Sequence, residues 1–133
     1  MRLFLDANVI FTAAHNPNGK AAFLISLAAD AGLQFITSDY ALEEARRNLS
    51  RKAPDALHSL DAMVDAFRVV PDYPALPCPD ALPEKDRPIF RAARASADVL
   101  LTGDLRDFGP LMNAPDRTDG LLIQTVAEFL NRL

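Results

Sequence analysis

The chain has 133 residues, and its 14 Lys and Arg against 18 Asp and Glu give a formal net charge of −4. Half of the residues are hydrophobic, which excludes an intrinsically disordered chain and fits a single domain over residues 1–133. The overall acidity argues against a generally basic surface that coats nucleic acid. No apolar run is long enough to span a membrane, and an Asp interrupts the first one, so we expect a cytoplasmic protein without a signal peptide.

The first part of the chain alternates apolar strands with helices. Residues 2–9 are almost continuously apolar, which predicts a buried strand of a parallel sheet. A turn then leads into a helix predicted over residues 20–31, followed by a second strand at residues 34–37. Ser38 or Asp39 is a good N-cap for a helix that extends to about residue 52. A further helix is predicted after Pro54, with a short strand at residues 68–70.

The second part of the chain begins with a proline-rich segment. Six prolines between residues 71 and 88 predict an extended chain until a helix begins near residue 87 and continues to about residue 97. Strands are predicted at residues 98–102 and 121–124, and Thr125 with Glu128 forms a capping-box signature for a terminal helix. Strands that alternate with helices predict an α/β domain with a mostly parallel sheet.

Carboxylates lie where two of the predicted strands end. Asp6 is toward the end of the first strand and Asp104 follows the fourth, so both are expected at the sheet edge where ligands bind. Asp6 interrupts an apolar stretch, in which an ionised carboxylate is costly unless it is paired or metal-bound, although a single Asp could also simply cap the next turn. Asp107 would face the same pocket if residues 105–108 form a helical turn.

Two further acids belong to predicted helices. Asp86 opens the helix that follows the proline-rich segment. Glu44 lies on the second long helix, where the apolar positions Leu42, Ala45 and Leu49 place it nearer the core boundary than Glu43. We therefore prefer Glu44 as the candidate ligand, and Glu43 remains the alternative.

At these positions the sequence resembles the PIN-domain nuclease family. The matching segments are LDANVI from residue 5, LEE from residue 42, DRP from residue 86 and LTGDLRDF from residue 101, in the order typical of the family. The resemblance implies a three-layer α/β/α fold and cleavage of single-stranded or structured RNA with Mg²⁺ or Mn²⁺. It also implies the roles of the residues: Asp6, Glu44, Asp86 and Asp104 as catalytic metal ligands, Asp107 as an additional ligand, and Asn8 and Thr102 as supporting residues.

The chemistry explains why acids are needed and what else the site requires. Carboxylate oxygens suit Mg²⁺ and Mn²⁺, and a bound divalent ion activates water for phosphodiester cleavage. An acidic pocket repels an RNA backbone, so cations are needed nearby, and we expect Arg46, Arg87 and Arg91 to contact phosphate. The alternative for such arginines is a solvated helix face with local ion pairs.

The small size of the chain further resembles VapC, the toxin of type II toxin–antitoxin pairs, which implies an antitoxin partner and a homodimer. The alternative within the family is a PIN-domain protein of RNA processing that has no antitoxin. Two other readings stay open. The first is a catalytically silent PIN-fold scaffold that binds RNA or protein. The second is a Mg²⁺-dependent phosphoacceptor or phosphatase-like domain, which needs a late lysine and an Asp-x-Asp motif, whereas this chain has lysines only at 20, 52 and 85 and an Asp-Ala-Asn sequence.

Overall fold

The computed structural model describes the backbone of residues 1–133 and their side chains, apart from those of Ala28 and Ala29. Its strands are β1 (Arg2–Leu5), β2 (Gln34–Ser38), β3 (Phe67–Val70), β4 (Val99–Leu101) and β5 (Leu122–Gln124). Its helices are α1 (Ala7–His15), α2 (Lys20–Ser26), α3 (Ala28–Ala31), α4 (Asp39–Lys52), α5 (Leu57–Val64), α6 (Arg87–Ser96), α7 (Leu105–Phe108) and α8 (Val126–Asn131). Among the elements so described, no helix combines the length and the hydropathy that a membrane crossing requires.

The five strands form one sheet in the order β3-β2-β1-β4-β5, and every neighbouring pair is parallel. α1 packs against α2, α4 and α5, whereas α6 packs against β1, β2 and β4. These are the layers of an α/β/α fold with a parallel central sheet, as the sequence predicts. Because all strands run the same way, their carboxyl ends lie at one edge of the sheet.

The central strands are buried on both faces, which explains their continuous hydrophobicity. Leu3, Phe4 and Leu5 of β1 and Leu100 and Leu101 of β4 are all inaccessible to solvent. In register, Leu5 pairs with Leu101, so the two strands end side by side. The residues that follow these two strands are therefore held close together by the best-packed part of the domain.

The prediction of a first strand through residue 9 is wrong. β1 ends at Leu5, and Asp6 is the N-cap of α1, where its Oδ1 accepts a 2.7 Å hydrogen bond from the Ala7 amide. A continuous apolar run fits a buried strand and a buried helix equally well, and here the capping side chain decides for the helix. Four of its apolar residues are buried at helical spacing: Val9, Ile10, Ala13 and Ala14.

The other elements follow the sequence closely. The helix expected over residues 20–31 is divided into α2 and α3 at Leu27, whose amide bonds back to the Leu24 carbonyl. Ser38 caps α4 by accepting a hydrogen bond from the Ala41 amide, and Thr125 and Glu128 form the complete capping box of α8. The expected helical turn at residues 105–108 is α7.

Candidate metal centre

Asp6 is a buried carboxylate at the junction of β1 and α1. Its side chain is 4% exposed and accepts three hydrogen bonds: from the Ala7 amide at 2.7 Å, from Asn8 Nδ2 at 3.1 Å and from Thr102 Oγ1 at 2.7 Å. Burial raises the pKa of Asp6 to about 6, and the charge of Glu44 adds to the rise, while the three hydrogen bonds oppose it. Both oxygens of Asp6 are thus fixed in direction.

Thr102 and Asn8 connect Asp6 to the end of β4. Thr102 is completely buried, and its hydroxyl donates to Asp6 while it accepts the Asp104 amide at 3.0 Å. Asn8 Oδ1 accepts the Gly103 amide at 2.7 Å. A β-carbon on Gly103 would lie 3.2 Å from that same oxygen, so glycine permits the close approach. The two supporting residues proposed from the sequence therefore join the two strand ends that carry the acids.

Three carboxylates converge at the same edge of the sheet. One oxygen from each of Asp86, Asp104 and Asp107 lies within 4.8 Å of the others. Asp86 ends a single 3₁₀ turn (Glu84–Asp86) before α6, whereas Asp104 is the N-cap of α7 and its Oδ1 accepts the Asp107 amide at 3.0 Å. The cap and the short helix thus place the two acids of the LTGDLRDF segment on one side.

Crowding and burial shift the pKa values of Asp86 and Asp107 in opposite directions. Asp86 is buried, and its Oδ2 has no hydrogen-bond partner among the described atoms. The pKa of Asp86 is raised to about 7, chiefly by burial and then by a hydrogen bond to Asp107 and the charges of Asp107 and Asp104. The same hydrogen bond, followed by that from Lys85, lowers the pKa of Asp107. Near neutral pH the Asp86 carboxyl is therefore only partly ionised, whereas the lowered pKa of Asp107 keeps that carboxylate charged.

Glu44 lies on the Asp6 side of this edge. It is half-buried, whereas Glu43 is exposed. After burial, its charge is the largest contribution to the raised pKa of Tyr40, one turn earlier on α4, and it also raises the pKa of Asp6. This placement favours Glu44 over Glu43, although neither residue belongs to the group formed by Asp86, Asp104 and Asp107.

Two residues near the acids, Lys85 and Tyr40, were not predicted from the sequence. Lys85 Nζ lies 3.2 Å from Asp107 Oδ2, and the contact raises the pKa of the ammonium group. The Tyr40 hydroxyl donates a 2.8 Å hydrogen bond to the Lys85 carbonyl and so links α4 to the turn that carries Asp86. Their signals in the sequence are slight: Lys85 directly precedes Asp86, and Tyr40 precedes Glu44 by one helical turn.

The three arginines expected to bind substrate each make a contact within the domain. Arg46 pairs with Asp61 of α5 at 2.8 Å, and Arg91 holds Asp72 through two nitrogens at 3.2 and 2.9 Å. Arg87 donates from Nε to the Leu82 carbonyl at 3.1 Å. Their contribution to substrate binding stays a prediction.

The donor set at this edge fits a divalent cation. Three carboxylates offer the hard oxygen ligands that Mg²⁺ and Mn²⁺ prefer. The unpartnered Oδ2 of Asp86 and its raised pKa are what crowded carboxylates show when no cation balances them. Asp86, Asp104 and Asp107 would hold such an ion, and the Thr102 hydroxyl connects Asp6 to the backbone of Asp104.

Comparisons with known proteins agree with this architecture. A family model described as PIN domain matches residues 2–106, so the chain belongs to the PIN-domain family. No curated protein matches the sequence.

Three solved structures share the fold at low sequence identity. VapBC2 from Rickettsia felis, bound to a DNA fragment from its promoter, aligns with 94% of this chain and 98% of the matched chain, at 15% identity and a TM-score of 0.65. DNA-bound VapBC from Salmonella typhimurium aligns with 95% and 98%, at 16% identity and a TM-score of 0.65. VapBC-1 from nontypeable Haemophilus influenzae aligns with 96% and 99%, at 15% identity and a TM-score of 0.58.

Proposed function

We propose that the protein is a Mg²⁺- or Mn²⁺-dependent nuclease that cleaves phosphodiester bonds of single-stranded or structured RNA. The observation that carries the proposal is the convergence of Asp86, Asp104 and Asp107 within 4.8 Å at the carboxyl edge of a PIN-domain sheet. A phosphodiester needs an activated water and neutralisation of its charged oxygens, and a divalent ion supplies both when bound.

The residues of the chain divide the remaining work. Asp86, Asp104 and Asp107 hold the ion, and Asp6 and Glu44 complete the acidic site from β1 and α4. Asn8 and Thr102 fix the direction of the Asp6 carboxylate through hydrogen bonds of 3.1 and 2.7 Å. A preorganised carboxylate does not have to reorient during the reaction, which lowers the activation free energy.

Lys85 brings positive charge to a site that otherwise repels RNA. Its ammonium group is bound to Asp107 at 3.2 Å, yet 72% of the side chain is exposed. When Asp107 serves as a metal ligand, Lys85 is free to contact a phosphate of the substrate. The same lysine supports one alternative, a silent scaffold in which the intrachain cation replaces the metal, because it already neutralises one acid of the cluster.

The test is an RNase assay on purified protein with single-stranded and hairpin RNA, in Mg²⁺, in Mn²⁺ and in EDTA. We expect cleavage when Mg²⁺ or Mn²⁺ is present and none in EDTA. The cleavage rate should fall at least about 100-fold in Asp104→Asn and in Asp86→Asn. Asp65→Asn, an exposed acid after α5, is the matched control and should retain full activity. RNA that binds but is never cleaved would support the scaffold. Equal activity of all the variants would refute the site.

We further propose that the chain is the toxin of a toxin–antitoxin pair and forms a homodimer. The support is the fold that it shares with chains of VapBC assemblies from three bacteria. Induced expression should arrest bacterial growth, and co-expression of a small DNA-binding protein encoded directly upstream should relieve the arrest. Light scattering during size exclusion measures the oligomeric state, and a monomer at micromolar concentration would refute the dimer.

A further inference from the structure

A cavity of about 370 Å³ adjoins the residues that hold Asp6 and Asp104 in place. It lies between α1, α2 and the start of α8, and it shares Asn8, Thr102 and Gly103 with the hydrogen-bond network that holds Asp6 and Asp104. Part of a ligand bound in the cavity would therefore lie next to a phosphate bound at the carboxylates. A larger cavity of about 540 Å³ near His15 and His58 is lined by none of the five proposed acids.

The lining of the smaller cavity differs in charge from the acidic site beside it. No Asp or Glu lines it, and its one charged residue is Lys20, an exposed side chain that makes no ion pair among the described residues. In a chain with a net charge of −4, the lining thus carries one positive charge and no acid that would repel a phosphate. An arginine-rich or lysine-rich peptide would find no carboxylate there.

The walls and the rim of the cavity differ in polarity. Alkyl side chains from different helices form the walls: Val9, Ala21, Val126 and Ala127. The rim carries the hydroxyl of Thr12 and the amide of Asn16, both exposed. Apolar walls with a few polar groups at the edge match a flat heterocycle that buries its faces and keeps its edge atoms hydrogen-bonded.

We propose that this cavity is a nucleobase subsite, which receives the unstacked base of the nucleotide next to the scissile phosphate while Lys20 contacts an adjoining phosphate. The inference rests on the proposed RNase function and specifies its substrate as RNA whose bases are free to leave the stack. Double-stranded RNA presents no such base, so the subsite selects single-stranded segments.

The first test measures binding without cleavage. Metal-free protein in EDTA is titrated with the four nucleoside 5′-monophosphates and followed by amide chemical shifts. We expect the amides of Val9, Ala21 and Ala127 to shift, with different amplitudes for different bases. Ala127→Leu fills the cavity from a half-buried position and should weaken this binding about tenfold, whereas Lys20→Ala should weaken it severalfold for all four nucleotides alike.

The control variant is Ala56→Leu, which places the same added volume at a half-buried alanine in the larger cavity and should leave nucleotide binding unchanged. Thermal denaturation verifies that Ala127→Leu folds, and the exposed Lys20→Ala variant tests the subsite independently of packing. Two results would overturn the proposal. One is a set of amide shift changes confined to residues outside the cavity, and the other is shift changes at the cavity with a hexa-arginine peptide but with none of the nucleotides.

The second test uses cleavage of a randomised single-stranded RNA pool in Mn²⁺. We expect Ala127→Leu to change the base preference beside the cleavage site, and Ala56→Leu to leave it unchanged. Cleavage with an unaltered preference in Ala127→Leu overturns the subsite while the RNase function stands. Nucleotide binding at the cavity in a protein that cleaves no RNA supports the subsite and refutes the RNase function.

Discussion

Thr102 donates a 2.7 Å hydrogen bond to Asp6, although 96 residues separate them in the chain. The same hydroxyl oxygen accepts the Asp104 amide at 3.0 Å. One buried side chain thus sets the position of an acid after β1 and an acid after β4, and it does so through geometry that the parallel pairing of Leu5 with Leu101 creates. Substitution of Thr102 is therefore expected to affect both halves of the site.

Thr102→Val keeps the shape of the side chain and removes the hydroxyl. The Asp104 amide and Asp6 each lose a partner, so we expect the free energy of unfolding to fall by about 1–3 kcal/mol. The Thr102 hydrogen bond lowers the pKa of Asp6, so the variant should raise that pKa and move the pH profile of cleavage upward. Urea denaturation and a pH–rate series measure the two effects. Thr102→Ser, which retains the hydroxyl, should restore both.

The metal-free protein should become less stable as the pH rises. A carboxyl group has a pKa of about 3.9 when unfolded, and that of Asp86 is raised to about 7 in the fold. Between these values the folded state binds more protons than the unfolded state, so stability is highest below about pH 4 for this group and is lost toward pH 7. Urea titrations in EDTA at several pH values measure the slope. Asp86→Asn should flatten it and stabilise the protein at pH 7, whereas Asp65→Asn should not.

Divalent ions should stabilise the protein through the same carboxylates. Binding to the folded state alone contributes about 2.7 kcal/mol at a concentration one hundred times the Kd. We expect Mn²⁺ to raise the Tm, and we expect Asp104→Asn to lose the increase. A Tm that rises equally in Asp104→Asn would place the ion elsewhere.

Lys85→Gln should tighten metal binding. The ammonium group competes with an ion for Asp107, to which it is bound at 3.2 Å, so its removal should lower the Kd for Mn²⁺ severalfold while it raises the KM for RNA. Isothermal titration without RNA and steady-state cleavage separate the two effects. Arg68→Gln makes the same change of charge at an exposed position on β3 and is the control. A weaker affinity for Mn²⁺ in Lys85→Gln would contradict the competition.

Arg91 tests whether the helix arginines act on the fold or on the substrate. It holds Asp72 with two nitrogens and is 17% exposed, so Arg91→Ala should lower the free energy of unfolding by about 1 kcal/mol. Arg94, whose pair with Asp119 is longer at 3.8 Å and more exposed, provides the comparison and should change stability less. An RNA KM that rises in Arg91→Ala with unchanged stability would instead support the phosphate contact predicted from the sequence.

The sequence predicted those parts of the fold that depend on local patterns. Alternating strands and helices, the Ser38 cap and the Thr125–Glu128 capping box are all readable from neighbouring residues, and they are present. The helix α1 was missed because apolar residues lie on both sides of Asp6, and an Asp at this position is compatible with a strand interruption as well as with a helix cap. The long-range contacts of Lys85 and Tyr40 depend on how the turn at Glu84–Asp86 meets α4, and no periodicity encodes such a meeting.

The acids themselves are a mixed case. Asp104 and Asp107 are three residues apart, and their side-by-side placement follows from one helical turn. The approach of Asp86 to this pair needs the tertiary fold, and the raised pKa of Asp86 follows from burial that the sequence does not display. Glu44 is half-buried and Glu43 is exposed, as the apolar positions of the helix predict, and the choice of Glu44 as a metal ligand stays a prediction.

The pairing of β1 with β4 delays completion of the acidic site until late in synthesis of the chain. β1 is translated before β2 and β4, yet its partner across Leu5 and Leu101 emerges from the ribosome only after most of the chain has been made. Until then Asp6 lacks the Thr102 hydroxyl, and Asp104 and Asp107 do not yet exist. A nascent chain therefore lacks a complete acidic site until β4 and α7 have been synthesised.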